Sequence, residues 1–271
     1  MTDRYAVIGN PVAHSRSPGI HTLFAQQAAQ DMHYEAILAP LDGFAAAVHT
    51  FIADGGHGLN VTMPFKAQAY RIATRCSPRA EAAGAVNTLC FKDKEIFGDN
   101  TDGAGLVRDI EFNLRFPVAG QRVLLLGAGG AARGCILPLL DRSPASLVIA
   151  NRSVEKSILL ASIFSSHVLK PTGCGFTELA GQTFDLVINA TSAGLDDAAL
   201  PLPPGLFASD GLAYEMVYGK DTAFLAQARN AGIRMADGRG MLVEQAAESF
   251  LLWRGVRPDT AQALTLQQLW A

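Results

Sequence analysis

The sequence predicts an α/β protein made of two successive sheet series, and three observations predict it. Short apolar runs alternate with helix-length segments almost from end to end, the pattern of parallel α/β structure. The alternation starts afresh at Val123, after a hairpin-like interruption. The 271 residues also exceed what one domain of ~100–200 residues holds.

In the first series Tyr5–Gly9 reads as a strand, Pro18–Gln30 as a helix, His33–Leu38 as a strand, Gly43–Ala53 as a helix and Gly58–Val61 as a strand. Thr88–Lys92 and Glu95–Gly98, joined at Asp93-Lys94, read as paired strands. Asp99-Asn-Thr-Asp-Gly103 then supplies capping residues for a helix over Ala104–Leu114. The second series has strands at Val123–Leu126 and near Leu147–Ala150, Asp185–Asn189, Ala213–Val217 and Ile233–Met235, with helices between them. Two amphipathic patterns, Met241–Arg254 and Pro258–Leu269, close the chain, and the pattern alone fits docking on either domain.

Composition removes several classes. With 49% hydrophobic and 17% charged residues the chain is not disordered, and a net charge of −3 offers no basic footprint for nucleic acid. Cys76, Cys90, Cys135 and Cys174 are widely separated and form no C-x-x-C, so neither a zinc site nor a disulfide framework is expected, and a reducing, cytoplasmic setting fits. The start lacks a signal-peptide apolar core, and the most apolar stretch, Val123–Leu140, is interrupted by glycines and Arg133, so no membrane segment is expected. No H-E-x-x-H and no G-x-S-x-G occurs, no metal is expected, and His14 reads as a polar loop residue.

Gly127-Ala128-Gly129-Gly130-Ala131-Ala132 follows the apolar strand and opens a helix, giving G-x-G-x-x-A in the context of a dinucleotide fingerprint. The first glycine permits the tight turn, the second lets backbone N–H groups approach a pyrophosphate, and the small Ala132 keeps helix and strand close. A glycine-rich turn packed for structural reasons alone is the competing account. About 24 residues on, the next strand ends at Asn151-Arg152-Ser153, where an NAD site would present an acid to the ribose hydroxyls. No acid is there. Asn151 can bond the ribose, while Arg152, with Ser153 and Lys156, can hold a 2′-phosphate, which points to NADP. Against this stands a merely solvated helix start, where cations oppose the helix dipole.

Three polar clusters in the first series fall just after strands, where open sheets place ligand sites: His14-Ser15-Arg16-Ser17-Pro18, Asn60-Val-Thr62-Met-Pro-Phe-Lys66, and Asn87-Thr88 with Asp99-Asn-Thr-Asp102. Ser17 before Pro18 equally suits a helix cap, Asn60 a turn cap, Asn87 a strand end, and Asn100 or Thr101 the start of a helix. Lys66 at a helix start is less easily structural, because a cation is unfavourable there without a partner. Asp102, by contrast, is favoured as an anion at its own helix N-terminus.

Together these segments resemble the shikimate dehydrogenase family. The resemblance runs through Gly9-Asn-Pro-Val-Ala-His-Ser-Arg-Ser-Pro18, Asn60-Val-Thr-Met-Pro-Phe-Lys66, Gly84-Ala-Val-Asn-Thr88, Gly98-Asp-Asn-Thr-Asp-Gly103, Gly127-Ala-Gly-Gly-Ala131, Asn189-Ala-Thr-Ser192 and Asp237-Gly-Arg-Gly-Met-Leu242, seven motifs in the family's order over nearly the whole chain. It implies an N-terminal α/β substrate domain over 1–102, a Rossmann-type NADP domain over 103–238 and C-terminal helices over 239–271 returning to the substrate domain. It implies that Ser15 and Ser17, with Tyr218, bind the substrate carboxylate, and that Asn60, Thr62, Asn87, Asp102 and Gln245 hold ring hydroxyls. Lys66 and Asp102 match the family's catalytic pair. Residues 127–131, Asn151, Arg152, Ser153 and Lys156, with Thr191, Met216 and Gly238, match its NADP positions. Ser153, Glu215 and Arg239 depart from the residues many relatives carry there.

The implied reaction is the reversible NADPH-dependent reduction of 3-dehydroshikimate to shikimate, in chorismate and aromatic amino-acid biosynthesis. The expected partner is this small molecule, with no nucleic acid or membrane, and the enzyme acts as a monomer or homodimer. Two other readings compete: a quinate/shikimate dehydrogenase of broader specificity, and a non-catalytic NADPH-binding sensor. A sensor has no use for Lys66 with Asp102.

Overall fold

The computed structural model describes residues 2–194 and 199–270. These form two compact units, residues 1–105 with 242–271, and residues 106–241.

The first unit carries β1 (Asp3–Gly9), α1 (Ser17–Gln27), β2 (Met32–Leu38), α2 (Phe44–Ala53), β3 (Gly56–Val61), α3 (Lys66–Ile72), β4 (Arg75–Cys76), α4 (Pro78–Ala83), β5 (Thr88–Lys92) and β6 (Glu95–Asp99). The sheet order is β2-β1-β3-β5-β6-β4. β1 runs parallel to β2 and β3, whereas β5 is antiparallel to both β3 and β6. The period-two alternation of β1 feeds two cores. Ala6 and Ile8 join Phe44, Phe51, Leu59, Phe65 and Leu89, while Tyr5 and Val7 lie with Val12, Tyr34 and Trp253. A strand buried on both faces reads as a continuous apolar run, which is why Tyr5–Gly9 is so legible.

The helix after this sheet, α5 (Asp102–Arg108), begins two residues earlier than the sequence predicts and continues through Asp109–Asn113 as a π-helical turn. The long C-terminal helix α9 (Arg239–Arg254) packs with α1 through Ile20, Phe24, Val243, Ala247 and Phe250. Its Trp253 indole N–H donates to the Leu89 carbonyl at 2.9 Å and lies so close to Gly58 that a Cβ there would stand 2.4 Å from Nε1. The last amphipathic pattern forms only the short α10 (Ala261–Thr265), followed by a 3₁₀ turn at Gln267–Leu269.

The second unit holds β7 (Arg122–Leu126), α6 (Gly130–Leu140), β8 (Ser146–Ala150), α7 (Val154–Ile163), β9 (Thr172–Cys174), β10 (Phe184–Asn189), β11 (Phe207–Glu215), α8 (Ala223–Asn230) and β12 (Arg234–Ala236). Its sheet runs β12-β11-β10-β7-β8-β9, with every pairing parallel. Counted from β7 this is the doubly wound order 3-2-1-4-5-6, whose strand order reverses between β7 and β10. Ligands of such sheets bind outside the carboxyl ends at that reversal. β11 starts six residues before the predicted strand, because its first half, Phe207–Asp210, lacks the apolar run that marks its buried second half.

Candidate active site

In the first unit the antiparallel β5 brings Thr88 opposite both Asn60 of β3 and Asp99 of β6, so polar residues far apart in sequence meet at one end of the sheet. Lys66 is the first residue of α3, and its Nζ donates to Asp102 Oδ2 at 2.6 Å. The other oxygen, Asp102 Oδ1, accepts from Asn87 Nδ2 at 2.8 Å. The Asp102 side chain is 12% exposed and that of Lys66 32%, so the pair is shielded but open to a ligand.

Asn87 Nδ2 also reaches Gln245 Oε1 at 3.3 Å, while Asn87 Oδ1 accepts from the Thr101 backbone N–H at 2.8 Å and from Thr88 Oγ1 at 3.0 Å. Asn60 Nδ2 donates to Ser249 Oγ at 2.9 Å and to Thr88 Oγ1 at 3.2 Å. Asn60 lies within β3 rather than at a turn and Asn87 directly precedes β5, and the side chains of both belong to one buried polar network. Thr62 is half-buried, and its backbone makes the turn into α3 by accepting from the Phe65 N–H at 3.0 Å. Ser17 is buried and is not the cap of α1; Arg16 occupies that position, and the Ser17 N–H donates to Ser15 Oγ at 3.3 Å. His14 is exposed.

The segment leading to Asp102 is clamped from behind. Arg79 donates to Asp99 through Nε at 2.7 Å and Nη2 at 2.6 Å, and Ser77 and the Asn100 backbone N–H also donate to Asp99. Burial pushes the Asp99 carboxyl up, but these donors outweigh it and hold it below the usual carboxylate range. Arg79 further reaches Glu248 at 3.1 Å, and Arg257 pairs with Glu244 and Glu248 at 2.8 and 2.6 Å, which ties this clamp to α9.

In the second unit Gly127 adopts φ +107°, and a Cβ there would stand 3.1 Å from the Ala190 carbonyl oxygen and 3.2 Å from Thr191 Cγ2. Only glycine fits this turn at the reversal between β7 and β10. Gly129, Gly130 and Ala131 are exposed, Ala128 is half-buried, and a Cβ on Gly129 or Gly130 would meet nothing within 4 Å. No side chain caps α6, so its first N–H groups face this open space as a ready anion site.

At the end of β8, Asn151 is half-buried with Nδ2 donating to the Ser153 carbonyl at 3.0 Å. Ser153 precedes α7 without capping it, and Arg152 and Lys156 are exposed with no ion pair among the described residues. An open N-terminal cradle beside an unpaired guanidinium fits a dinucleotide carrying a 2′-phosphate.

Past β10, Thr191 Oγ1 donates to Asn189 Oδ1 at 2.7 Å, and Asn189 Nδ2 donates to the buried Glu215 at 2.7 Å. Burial pushes the Glu215 carboxyl up, against opposing hydrogen bonds from Val217 N–H, Asn189 and Thr222. Met216 and Tyr218 follow β11 and are half-buried. Gly238 is pressed against Met216, since a Cβ there would lie 2.1 Å from the Met216 carbonyl oxygen.

The structure adds residues that sequence reasoning missed. Tyr34 and Ser249 join the Asn60 network through elements distant in sequence, and nothing in their local sequence marks them. His21 is fully buried beside them; burial drives its imidazole down to about 3, against a weaker opposing pull from Asn60. In the second unit the Tyr214 hydroxyl donates to Asp109 at 2.7 Å and accepts from the Met241 N–H at 3.2 Å, fixing the start of α9.

A family model for the shikimate dehydrogenase substrate binding domain matches residues 7–89, one for shikimate / quinate 5-dehydrogenase matches 111–195, and one for the shikimate 5′-dehydrogenase C-terminal domain matches 238–264. The chain is 63% identical to the shikimate dehydrogenase (NADP(+)) of Dechloromonas aromatica over 267 residues, 97% of each chain. It resembles the crystal structure of an Ael1 enzyme from Pseudomonas putida, with TM-score 0.93, 50% identity and coverage of 99% and 98% of the two chains. It also resembles the shikimate 5-dehydrogenase of Thermus thermophilus in complex with NADP(H) and shikimate, with TM-score 0.88, 32% identity and coverage of 99% and 100%.

Proposed function

This chain belongs to the NADP-dependent shikimate dehydrogenase family, and from that premise we propose how its own residues divide the work. It is an oxidoreductase acting on a CH–OH group, interconverting 3-dehydroshikimate and shikimate with NADP. No described helix is long and apolar enough to cross a membrane.

The single observation that carries the assignment of roles is the Lys66–Asp102 pair, bonded at 2.6 Å and joined to Asn87. NADPH, when bound, supplies the hydride. Lys66 as an ammonium donates its proton to the carbonyl oxygen of 3-dehydroshikimate as that oxygen becomes a hydroxyl; in the reverse direction neutral Lys66 accepts the hydroxyl proton. Asp102 holds Lys66 in place through the 2.6 Å bond. Asn60, Thr62, Asn87 and Gln245 hold the ring hydroxyls, and Ser15 and Ser17 supply hydroxyl donors to a carboxylate, which only accepts. The α6 N-terminus with residues 127–131 takes the pyrophosphate, Asn151 the ribose, and Arg152 with Ser153 and Lys156 the 2′-phosphate. Thr191 would lie along the nicotinamide side, with Met216 and Gly238 among the residues that would hold the cofactor.

Absorbance of the reduced cofactor, followed with shikimate or quinate and with NADP or NAD, tests this reading. Rapid turnover of shikimate with NADP and much poorer use of quinate and NAD is expected. Comparable efficiency with quinate and NAD overturns the specificity assigned to the serines and Arg152.

A further inference from the structure

A chain of buried side chains runs toward the Lys66–Asp102 pair with a single donor-to-acceptor sense. The Tyr34 hydroxyl donates to Asn60 Oδ1 at 2.7 Å, Asn60 Nδ2 donates to Thr88 Oγ1 at 3.2 Å, Thr88 donates to Asn87 Oδ1 at 3.0 Å, and Asn87 Nδ2 donates to Asp102 Oδ1 at 2.8 Å. An asparagine amide has one donor end and one acceptor end, so it passes this sense on only in one of its two flipped orientations. At the far end the carboxylate accepts only, which orients Asn87. At the near end the donor to Asn60 Oδ1 is Tyr34.

Tyr34 is held by an aromatic stack, with the Ser17 side chain as a second polar neighbour of its hydroxyl. Its ring lies parallel to that of His21, 4.2 Å between centroids with 8° between planes. Neither nitrogen of His21 makes a well-formed hydrogen bond, and Asn60 acts on the imidazole less strongly than burial does. Phe24, Phe250 and Trp253 surround His21, making an apolar box in which the stack cannot swing. Burial keeps the Tyr34 phenol protonated and therefore a donor, and the Ser17 side chain adjoins it.

We propose that Tyr34 is a positioning residue of the substrate site: its hydroxyl, held by the stack on His21, locks the Asn60 amide with its nitrogen toward Thr88 and Ser249 and so orders the network that presents Asn60 and Asn87 to substrate. This rests on the reading that those two asparagines hold the ring hydroxyls of shikimate. Tyr34 touches no substrate atom in this account and acts through Asn60.

The test is a double-mutant cycle on the full chain, read as separate KM values for shikimate and NADP. Tyr34→Phe keeps the ring and the stack and removes the hydroxyl alone. A buried amide oxygen left without its donor raises the shikimate KM about tenfold. The NADP KM stays unchanged, and in an Asn60→Ala background Tyr34→Phe adds no further effect. Ser249→Ala, a small change on the other side of the Asn60 amide, raises the shikimate KM in the same direction. An unchanged shikimate KM in Tyr34→Phe and Ser249→Ala, a parallel rise in both KM values, or independent multiplication of the Tyr34 and Asn60 effects overturns the proposal. If Asn60→Ala alone leaves the shikimate KM unchanged, the assignment of Asn60 to substrate has failed, and the proposal falls with it.

Discussion

The Asp102 carboxylate is divided between two partners, with Lys66 Nζ at 2.6 Å on one oxygen and Asn87 Nδ2 at 2.8 Å on the other. Asp102→Asn keeps the size of the side chain but removes the charge that holds Lys66 and turns one acceptor into a donor. Turnover should fall at least tenfold and the shikimate KM should rise, while the NADP KM stays put. Steady-state kinetics with each substrate varied in turn decides this, and unchanged kinetics would show that Asp102 is spectator to both proton and substrate.

Arg152 extends from the end of β8 without an ion pair among the described residues. A charged hydrogen bond is worth ~1.5–3 kcal/mol, so Arg152→Ala should weaken NADP binding about 10- to 100-fold and leave NAD binding nearly untouched. Calorimetric titration with each dinucleotide checks it. Equal weakening of both would make Arg152 a structural residue.

His21 lies wholly buried with a folded pKa of about 3 against an ordinary 6.5. Below pH 6.5 the unfolded chain therefore binds a proton that the native state refuses, so native stability falls as pH drops from 6.5 toward 3, by up to roughly 1.4 kcal/mol per pH unit. Above 6.5 this loss is absent. His21→Leu should flatten the decline between pH 6.5 and 5 by about 2 kcal/mol, measured as the pH dependence of urea-unfolding free energy. Parallel curves for the two proteins would contradict the burial of a neutral imidazole.

Much of this molecule is legible in its amino-acid sequence, and particular residues show why. The buried parallel strands at Tyr5–Gly9 and Val123–Leu126 are continuous apolar runs, and the turn at Gly127 announces itself because only glycine fits against Ala190. Lys66 stands out because a cation at a helix start asks for a partner. β4 and β9 escape notice because two or three edge residues, Arg75–Cys76 and Thr172–Cys174, are too short to show alternation. Tyr34, Asn60 and Ser249 belong to β2, β3 and α9, and nothing short of the fold brings them together. His21 hides for a different reason: an imidazole on a helix of mixed character reads as surface until its aromatic surroundings are known.

The central claim is that Lys66 transfers the proton, and the kcat of Lys66→Met for shikimate oxidation tests it most directly. Methionine keeps much of the side-chain length and removes the ionisable amine. Loss of general acid–base help should lower kcat by about 10²- to 10⁴-fold with NADP binding intact, because Lys66 lies in the first unit and the residues proposed to hold NADP lie in the second. A folded Lys66→Met enzyme with near-normal kcat across the pH range would contradict the account.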